Sequence, residues 1–156
     1  LISCMVQPMD ALTDYKLDKS LGHLASRFSR LVLRRFNAVL AQNEVPITSE
    51  QYSLLVQLWE CNGLAQGLLA GKTAKDKTTM ARLAAGLEER GLIVRLPSPN
   101  DARERLLYLT DRGKELMDRA TRLARGILEE AQQGIGDGDL EVCRDVLRRA
   151  CGNLDR

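Results

Sequence analysis

Residues 99–113 read PNDARERLLYLTDRG. Pro99 and Asn100 mark a turn. Beyond it, Arg105, Leu107 and Leu109 alternate with Leu106, Tyr108 and Thr110, the period of two that sends successive side chains to opposite faces of a strand. Upstream, Leu92–Leu96 forms a matching apolar run, and Pro97-Ser98-Pro99-Asn100 joins the two. The stretch therefore predicts a small β-hairpin whose tip carries Asp101, Arg103, Glu104 and Arg105. The segments on either side decide what such a charged tip faces.

Just before the hairpin, Asp76 is a good helix N-cap. Met80, Leu83, Ala84 and Leu87 then recur at the spacing of one helix face, and Gly91 stops the helix. Its other face opens with Lys77, Thr78, Thr79 and Arg82, a short, donor-rich surface without a bulky apolar residue. Leu64–Ala70 reads as a short helix. Thr48 and Gln51 form a capping box, and the helix they open places Tyr52, Leu55, Val56 and Trp59 on one face, with Trp59 read as core. Asn62-Gly63 ends it. A helix pair followed by a two-stranded ribbon is a winged helix-turn-helix.

Long helices flank this lobe. From Asp18 to Gln42 an apolar stripe runs through Leu21, Leu24, Phe28, Leu31, Val32, Phe36 and Leu40, with Arg27, Arg30, Arg34 and Arg35 mostly off it. Thr110 caps a second helix, striped by Leu116, Met117, Ala120, Leu123, Ala124, Ile127, Leu128 and Ala131. Gly134–Gly138 breaks the pattern, and a last helix carries Leu140, Cys143, Val146, Leu147, Ala150 and Leu154. Such stripes exceed what a small winged lobe can cover, so they predict packing against a second copy of the chain. The fold class is mainly α with a small β-hairpin wing. It is organised as a single domain, 1–156, with dimerisation helices at 18–44 and 110–154 and a winged lobe at 48–110.

Composition narrows the function. The 156 residues are 44% hydrophobic and 28% charged, with a net charge of +2, so a basic surface must come from placement. No apolar run approaches the roughly 18 residues of a membrane helix. The opening LISCMVQPMD lacks the basic and apolar regions of a secretory signal. The expectation is a cytoplasmic protein with reduced cysteines and no membrane association. Cys4, Cys61, Cys143 and Cys151 show no C-x-x-C spacing, and His23 is the one histidine, so neither a metal site nor a cofactor is expected. Without a nucleophile motif or a phosphate-binding glycine loop, an enzyme is not expected either.

Two segments carry a family resemblance: D-K-T-T-M-A-R-L-A-A-G-L-E-E-R-G-L, 76–92, and D-A-R-E-R-L-L-Y-L-T-D-R-G, 101–113. The second holds a D-x-R, then L-T-x-x-G, in full. At this spacing they resemble the MarR family, the multiple-antibiotic-resistance regulators, and the resemblance spans about Asp18 to Leu154. It implies a dimeric winged-helix transcription regulator whose DNA affinity changes with a small ligand or with oxidation. It also implies that Asp101 holds the wing tip and orients Arg103 by an ion pair. Two places depart from the pattern. Ala65 stands where the family has a Ser or Thr cap for its short third helix. Thr73-Ala74-Lys75 stands where it has apolar, Gly, apolar, which predicts a looser corner or a shifted first helix.

A helix in the major groove reads bases with its N-terminal residues, which assigns Thr78, Thr79 and Arg82 to base edges or nearby phosphate. Arg82 can grip a guanine through two hydrogen bonds. Lys75 and Lys77 suit phosphate beside the helix N-terminus. Arg103 and Arg105 suit the minor groove, where A·T tracts concentrate negative potential, and Arg95 supports the tip or meets phosphate. Residues 75–105 hold Lys75, Lys77, Arg82, Arg90, Arg95, Arg103 and Arg105 against Asp76, Glu88, Glu89, Asp101 and Glu104. The small surplus predicts that Glu88 and Glu89 turn away from DNA.

The expected partners are double-stranded DNA bearing an inverted-repeat operator, a second copy of the chain, and a small-molecule effector. In the family, effectors often sit between the dimer helices and the winged lobe, which makes Arg27, Arg30, Tyr52 and Trp59 the candidates here. One alternative is a winged-helix adaptor that binds protein rather than DNA. Another is a thiol-based redox sensor. The peroxide-sensing branch of the family carries a reactive Cys early in its first long helix, but Gly22-His23 stands there and Cys4 lies upstream. Cys143 and Cys151 fit packing or a dimer seam.

Overall fold

The computed structural model describes residues 16–73, 76–101 and 103–155. After a 3-10 turn at Leu17–Lys19, the elements are α1 (Leu21–Gln42), α2 (Ser49–Glu60), β1 (Leu64–Ala65), α3 (Gln66–Lys72), α4 (Lys77–Glu89), β2 (Ile93–Pro97), β3 (Arg105–Leu109), α5 (Asp111–Gln132) and α6 (Asp137–Leu154).

The helices start where side chains satisfy their free N–H groups. Ser20 caps α1, accepting from the His23 backbone at 3.3 Å. Thr48 and Gln51 close a reciprocal box on α2, in which the Gln51 amide donates to Thr48 Oγ1 at 3.2 Å and the Thr48 amide to Gln51 Oε1 at 3.1 Å. Thr110 caps α5 by accepting from the Gly113 amide at 3.0 Å. Each such cap contributes about 1 kcal/mol.

One core binds the winged lobe to the middle of the long helices. Leu54, Leu55 and Leu58 of α2 meet Leu69 of α3, Met80 and Leu87 of α4, and Leu107 of β3, all fully buried. Phe36 and Leu40 of α1 and Met117, Ala120 and Ile127 of α5 extend this core. Asn37 Oδ1 accepts from the Ser49 amide at 2.7 Å, fixing where α2 leaves α1.

The sheet differs from the two-stranded ribbon of the sequence reading. It has three antiparallel strands in the order β1-β3-β2, with Leu64 opposite Leu107 and Val94 opposite Tyr108. Leu64 and Ala65, read as the start of a helix, form β1 instead, and α3 begins at Gln66. The neck is reinforced twice: the Gly63 amide donates to Leu107 O at 3.0 Å and the Leu109 amide to Asn62 Oδ1 at 2.9 Å. Gly63 has φ +79°, the left-handed region that favours glycine, and a Cβ there would lie 2.7 Å from the Tyr108 ring, which would have to move.

Trp59 is a second correction. It is 60% exposed rather than core, because it lies in the last turn of α2, where the helices beside it no longer cover that face.

The outer helices show the opposite of a filled core. Leu21, Leu24, Phe28 and Leu31 of α1 are 43–51% exposed. No residue of α6 is buried; Leu140, Leu147 and Ala150 are half-covered, while Cys143, Val146 and Leu154 are open. Apolar stripes of this length are left without cover in a single chain.

Candidate nucleic-acid interface

Asp76 sets the start of α4. Its Oδ1 accepts from the Thr79 amide at 2.8 Å and its Oδ2 from the Thr79 hydroxyl at 2.7 Å. These bonds, the backbone one foremost, hold the Asp76 carboxyl below its ordinary value. The Thr79 hydroxyl proton is therefore committed to the cap, which leaves Thr79 only acceptor lone pairs to offer a base. Lys77, Thr78 and Arg82 are exposed along the same face, while Met80, Leu83, Ala84 and Leu87 behind them are buried. Lys75 lies outside the described residues. Thr73 closes α3, its hydroxyl donating to Leu69 O at 2.7 Å, and Ala65 provides no side-chain cap to α3.

The wing tip is organised by backbone rather than by charge. Asp101 Oδ1 accepts from the Arg103 amide at 2.9 Å, and Asp101 O accepts from the Glu104 amide at 2.9 Å. The ion pair expected between Asp101 and Arg103 is absent: the carboxylate folds back onto the turn it shapes, leaving the Arg103 guanidinium exposed.

Arg95 is also reassigned. Its Nε donates to Glu88 Oε2 at 2.8 Å, and its Nη2 shares the same oxygen. Arg95 thus ties β2 back to the last turn of α4, and neither supports the tip nor stands free for phosphate. Glu88, expected only to face away from DNA, is the other half of this tether. Hydrogen bonding from Arg95, opposed by desolvation, holds the Glu88 carboxyl below its ordinary 4.5. A carboxyl depressed in the folded state contributes stability above its unfolded pKa and loses it as pH falls through the folded one. The stability gap between the unmodified chain and Glu88→Gln should accordingly be constant near neutrality and shrink only in acid below the ordinary carboxyl value. Denaturation in a pH series measures it, and a gap that widens in acid would disprove the tether.

The structure brings Lys77, Arg103 and Arg105 to one cleft of about 300 Å³, together with Gln66, Gly67 and Glu104. Among the described residues no carboxylate pairs with these three cations or with Arg82. A helix face presenting Lys77 and Arg82 beside a wing presenting Arg103 and Arg105, their side chains free of ion pairs among the described residues, forms a surface matched to a polyanion.

The effector-side candidates divide. Tyr52 and Trp59 line one cavity of about 320 Å³ with Lys114, Thr121 and Arg125, whereas Arg27 and Arg30 do not line it. Arg30 donates instead to Ser26 at 2.8 Å on its own helix. Tyr52 also lines a second, apolar cavity of about 270 Å³ between α1, α2 and α5. Its ring packs edge-on against Phe36, and its hydroxyl lies 3.1 Å from Thr121 Oγ1. Lys114 and Arg125 escaped the sequence reading because they lie on the polar side of the α5 stripe.

Cys61, Cys143 and Cys151 are free and exposed, and Cys4 lies outside the described residues. Among the described residues no group of His, Cys, Asp and Glu is placed to hold a metal ion, and no helix is long and apolar enough to cross a membrane.

A capped, polar-faced helix set against a three-stranded wing defines a winged helix-turn-helix DNA-binding protein. The MarR family model matches residues 47–104. The HTH-type transcriptional regulator YybA of Bacillus subtilis is 30% identical over 113 residues, 72% of this chain and 75% of its own. Among solved structures, a MarR-family transcriptional regulator from Rhodococcus sp. RHA1 superposes with a TM-score of 0.78 at 30% identity, covering 85% of this chain and 93% of that one. CouR from Rhodococcus jostii RHA1, bound to p-coumaroyl-CoA, gives 0.75 at 30% identity, covering 85% and 92%. CouR bound to a 23-mer DNA duplex gives 0.74 at 28%, covering 90% and 95%. The chain belongs to the MarR family, whose members are winged-helix, DNA-binding transcription regulators.

Proposed function

We propose that the chain is a homodimeric, cytoplasmic repressor that binds an inverted-repeat operator and is released by a small molecule, acting by binding rather than by catalysis. The observation that carries this reading is the unpaired cationic surface shared by α4 and the wing, Lys77, Arg82, Arg103 and Arg105. The uncovered stripes of α1 and α6 support the dimer, with 18–44 and 110–154 as its seam and 48–110 as the DNA-binding lobe. The related CouR has been solved with both a duplex and an acyl-CoA, which supports DNA and a small effector as the two ligands. The cavity lined by Tyr52, Trp59, Lys114, Asp118 and Arg125 is the effector site favoured here, since it offers aromatic surface beside Arg125, which makes no ion pair among the described residues, while Lys114 is held by Asp111 at 2.8 Å.

Selection of genomic fragments by the purified chain tests the reading and yields the operator. On that operator Arg82→Ala should cost about 1–3 kcal/mol and relax preference at one base pair per half-site, as expected for a residue that reads a base edge. Arg103→Ala should weaken all operator variants alike, because backbone and shape contacts position without specifying. Uniform loss from both substitutions would mean that Arg82 reads no base.

A further inference from the structure

The cleft between wing and helix-turn-helix has a chemistry of its own. Its walls are the first residues of α3 (Gln66, Gly67), the first residue of α4 (Lys77), and the wing residues Arg103, Glu104 and Arg105. Arg105 does not sit at the hairpin tip; it opens β3, opposite Pro97 in the register. Lys77 and Arg105 are both exposed and unpaired. Glu104 lines the same cleft and, among the described residues, makes no ion pair with any of the three cations. Its backbone is fully engaged, the amide donating to Asp101 O and the carbonyl accepting from the Ser98 amide at 3.0 Å, which holds the residue in place.

A duplex entered by α4 in one groove and by the wing in the next must pass one sugar–phosphate strand between the two elements. The cleft is where they separate. We propose that it seats a single backbone phosphate of that strand, clamped by Lys77 from the helix side and by Arg105 from the wing side, and that the Glu104 carboxylate weakens the clamp by repelling the same group. This rests on the DNA-binding reading above. Arg103 stays free to reach onward into the minor groove. The clamp joins the two reading elements through one phosphate, so neither grips fully unless both are seated. Glu104 keeps that grip from becoming strong on arbitrary DNA.

The test uses the full chain, the selected operator and an unrelated duplex of equal length. The Lys77→Gln/Arg105→Gln double variant should flatten the log–log salt dependence of binding by about 0.9 per half-site, the value of the one phosphate the two cations share, and each single variant by no more than that. Glu104→Gln should tighten binding to both duplexes by about 2- to 5-fold, the size of an exposed charge interaction. A scan placing one neutral methylphosphonate at each backbone position should find one position per half-site that weakens the unmodified chain but leaves the Lys77→Gln/Arg105→Gln double variant unaffected. If every position costs both proteins equally, or Glu104→Gln binds no tighter, the clamp is overturned while DNA binding stands. If the unmodified chain binds no duplex at all, the DNA reading falls and the clamp with it.

Discussion

Replacing Gly113 with Ala should destabilise the chain by about 3 kcal/mol, the upper range for forcing an atom into packed surroundings. A Cβ at this position would lie 2.1 Å from Leu92 O and 3.1 Å from its carbonyl carbon, and both are backbone atoms. The neighbours have little freedom to retreat. Leu92 O already accepts from the Thr110 amide at 3.1 Å. The Thr110 hydroxyl donates to Gly91 O at 2.7 Å while accepting from the Gly113 amide. Moving α5 outward breaks its own cap; moving Leu92 pulls β2 from β3. Gly126→Ala on the same helix is the control. Nothing lies within 4 Å of a Cβ there, so alanine should stabilise the helix by up to about 1 kcal/mol. Urea denaturation of the two variants measures the contrast. A loss below about 1 kcal/mol for Gly113→Ala would mean the joint yields.

Leu147→Asp should turn a dimer into monomers. Leu147 lies on the α6 stripe with Leu140 and Ala150, half-covered within one chain, and α1 carries open apolar residues of its own. At a closed seam each copy would bury an unpaired carboxylate in place of a leucine, which should raise the dissociation constant by about 1,000-fold or more. Sedimentation at micromolar concentration reads the change directly. The variant should also lose most of its operator affinity, since two lobes that are no longer joined bind their half-sites independently. A monomeric unmodified chain, or a variant that stays dimeric, would remove the basis for the two-fold reading.

The parts of this molecule that could be read from sequence are those governed by local spacing. Thr48 with Gln51, Asp76 with Thr79 and Thr110 with Gly113 are contacts three residues apart, and the buried face Met80–Leu83–Ala84–Leu87 repeats within one helix. The parts that could not be read need two distant segments. Leu64-Ala65 is too short to alternate and becomes a strand only because β3 is there to pair with it. The Arg95–Glu88 tether crosses the end of α4 and the start of β2, where no helical or strand spacing applies. Periodicity set Trp59 on the face of Tyr52 and Val56 but could not show that cover runs out at the last turn. The candidate interface was legible in its residue types and not in its arrangement. The cations were named, while the cleft that gathers Lys77, Arg103 and Arg105 around Glu104 emerges only when the wing folds back.

The neck formed by β1 and β3 has a consequence for how this molecule breathes. Pairing Leu64 with Leu107 and Ala65 with Leu106 closes a loop of about forty residues that contains α3, α4 and most of the wing. Everything that would touch DNA hangs from that closure. Opening it releases the whole loop at once, so intermediate openings gain little chain entropy for the contacts they lose. The amides of Gly63 and Leu109, which span the neck, should therefore exchange with deuterium at matched rates, as a single cooperative unit. The first turn of α1, with its apolar side chains uncovered, should exchange far sooner in any copy that is not paired.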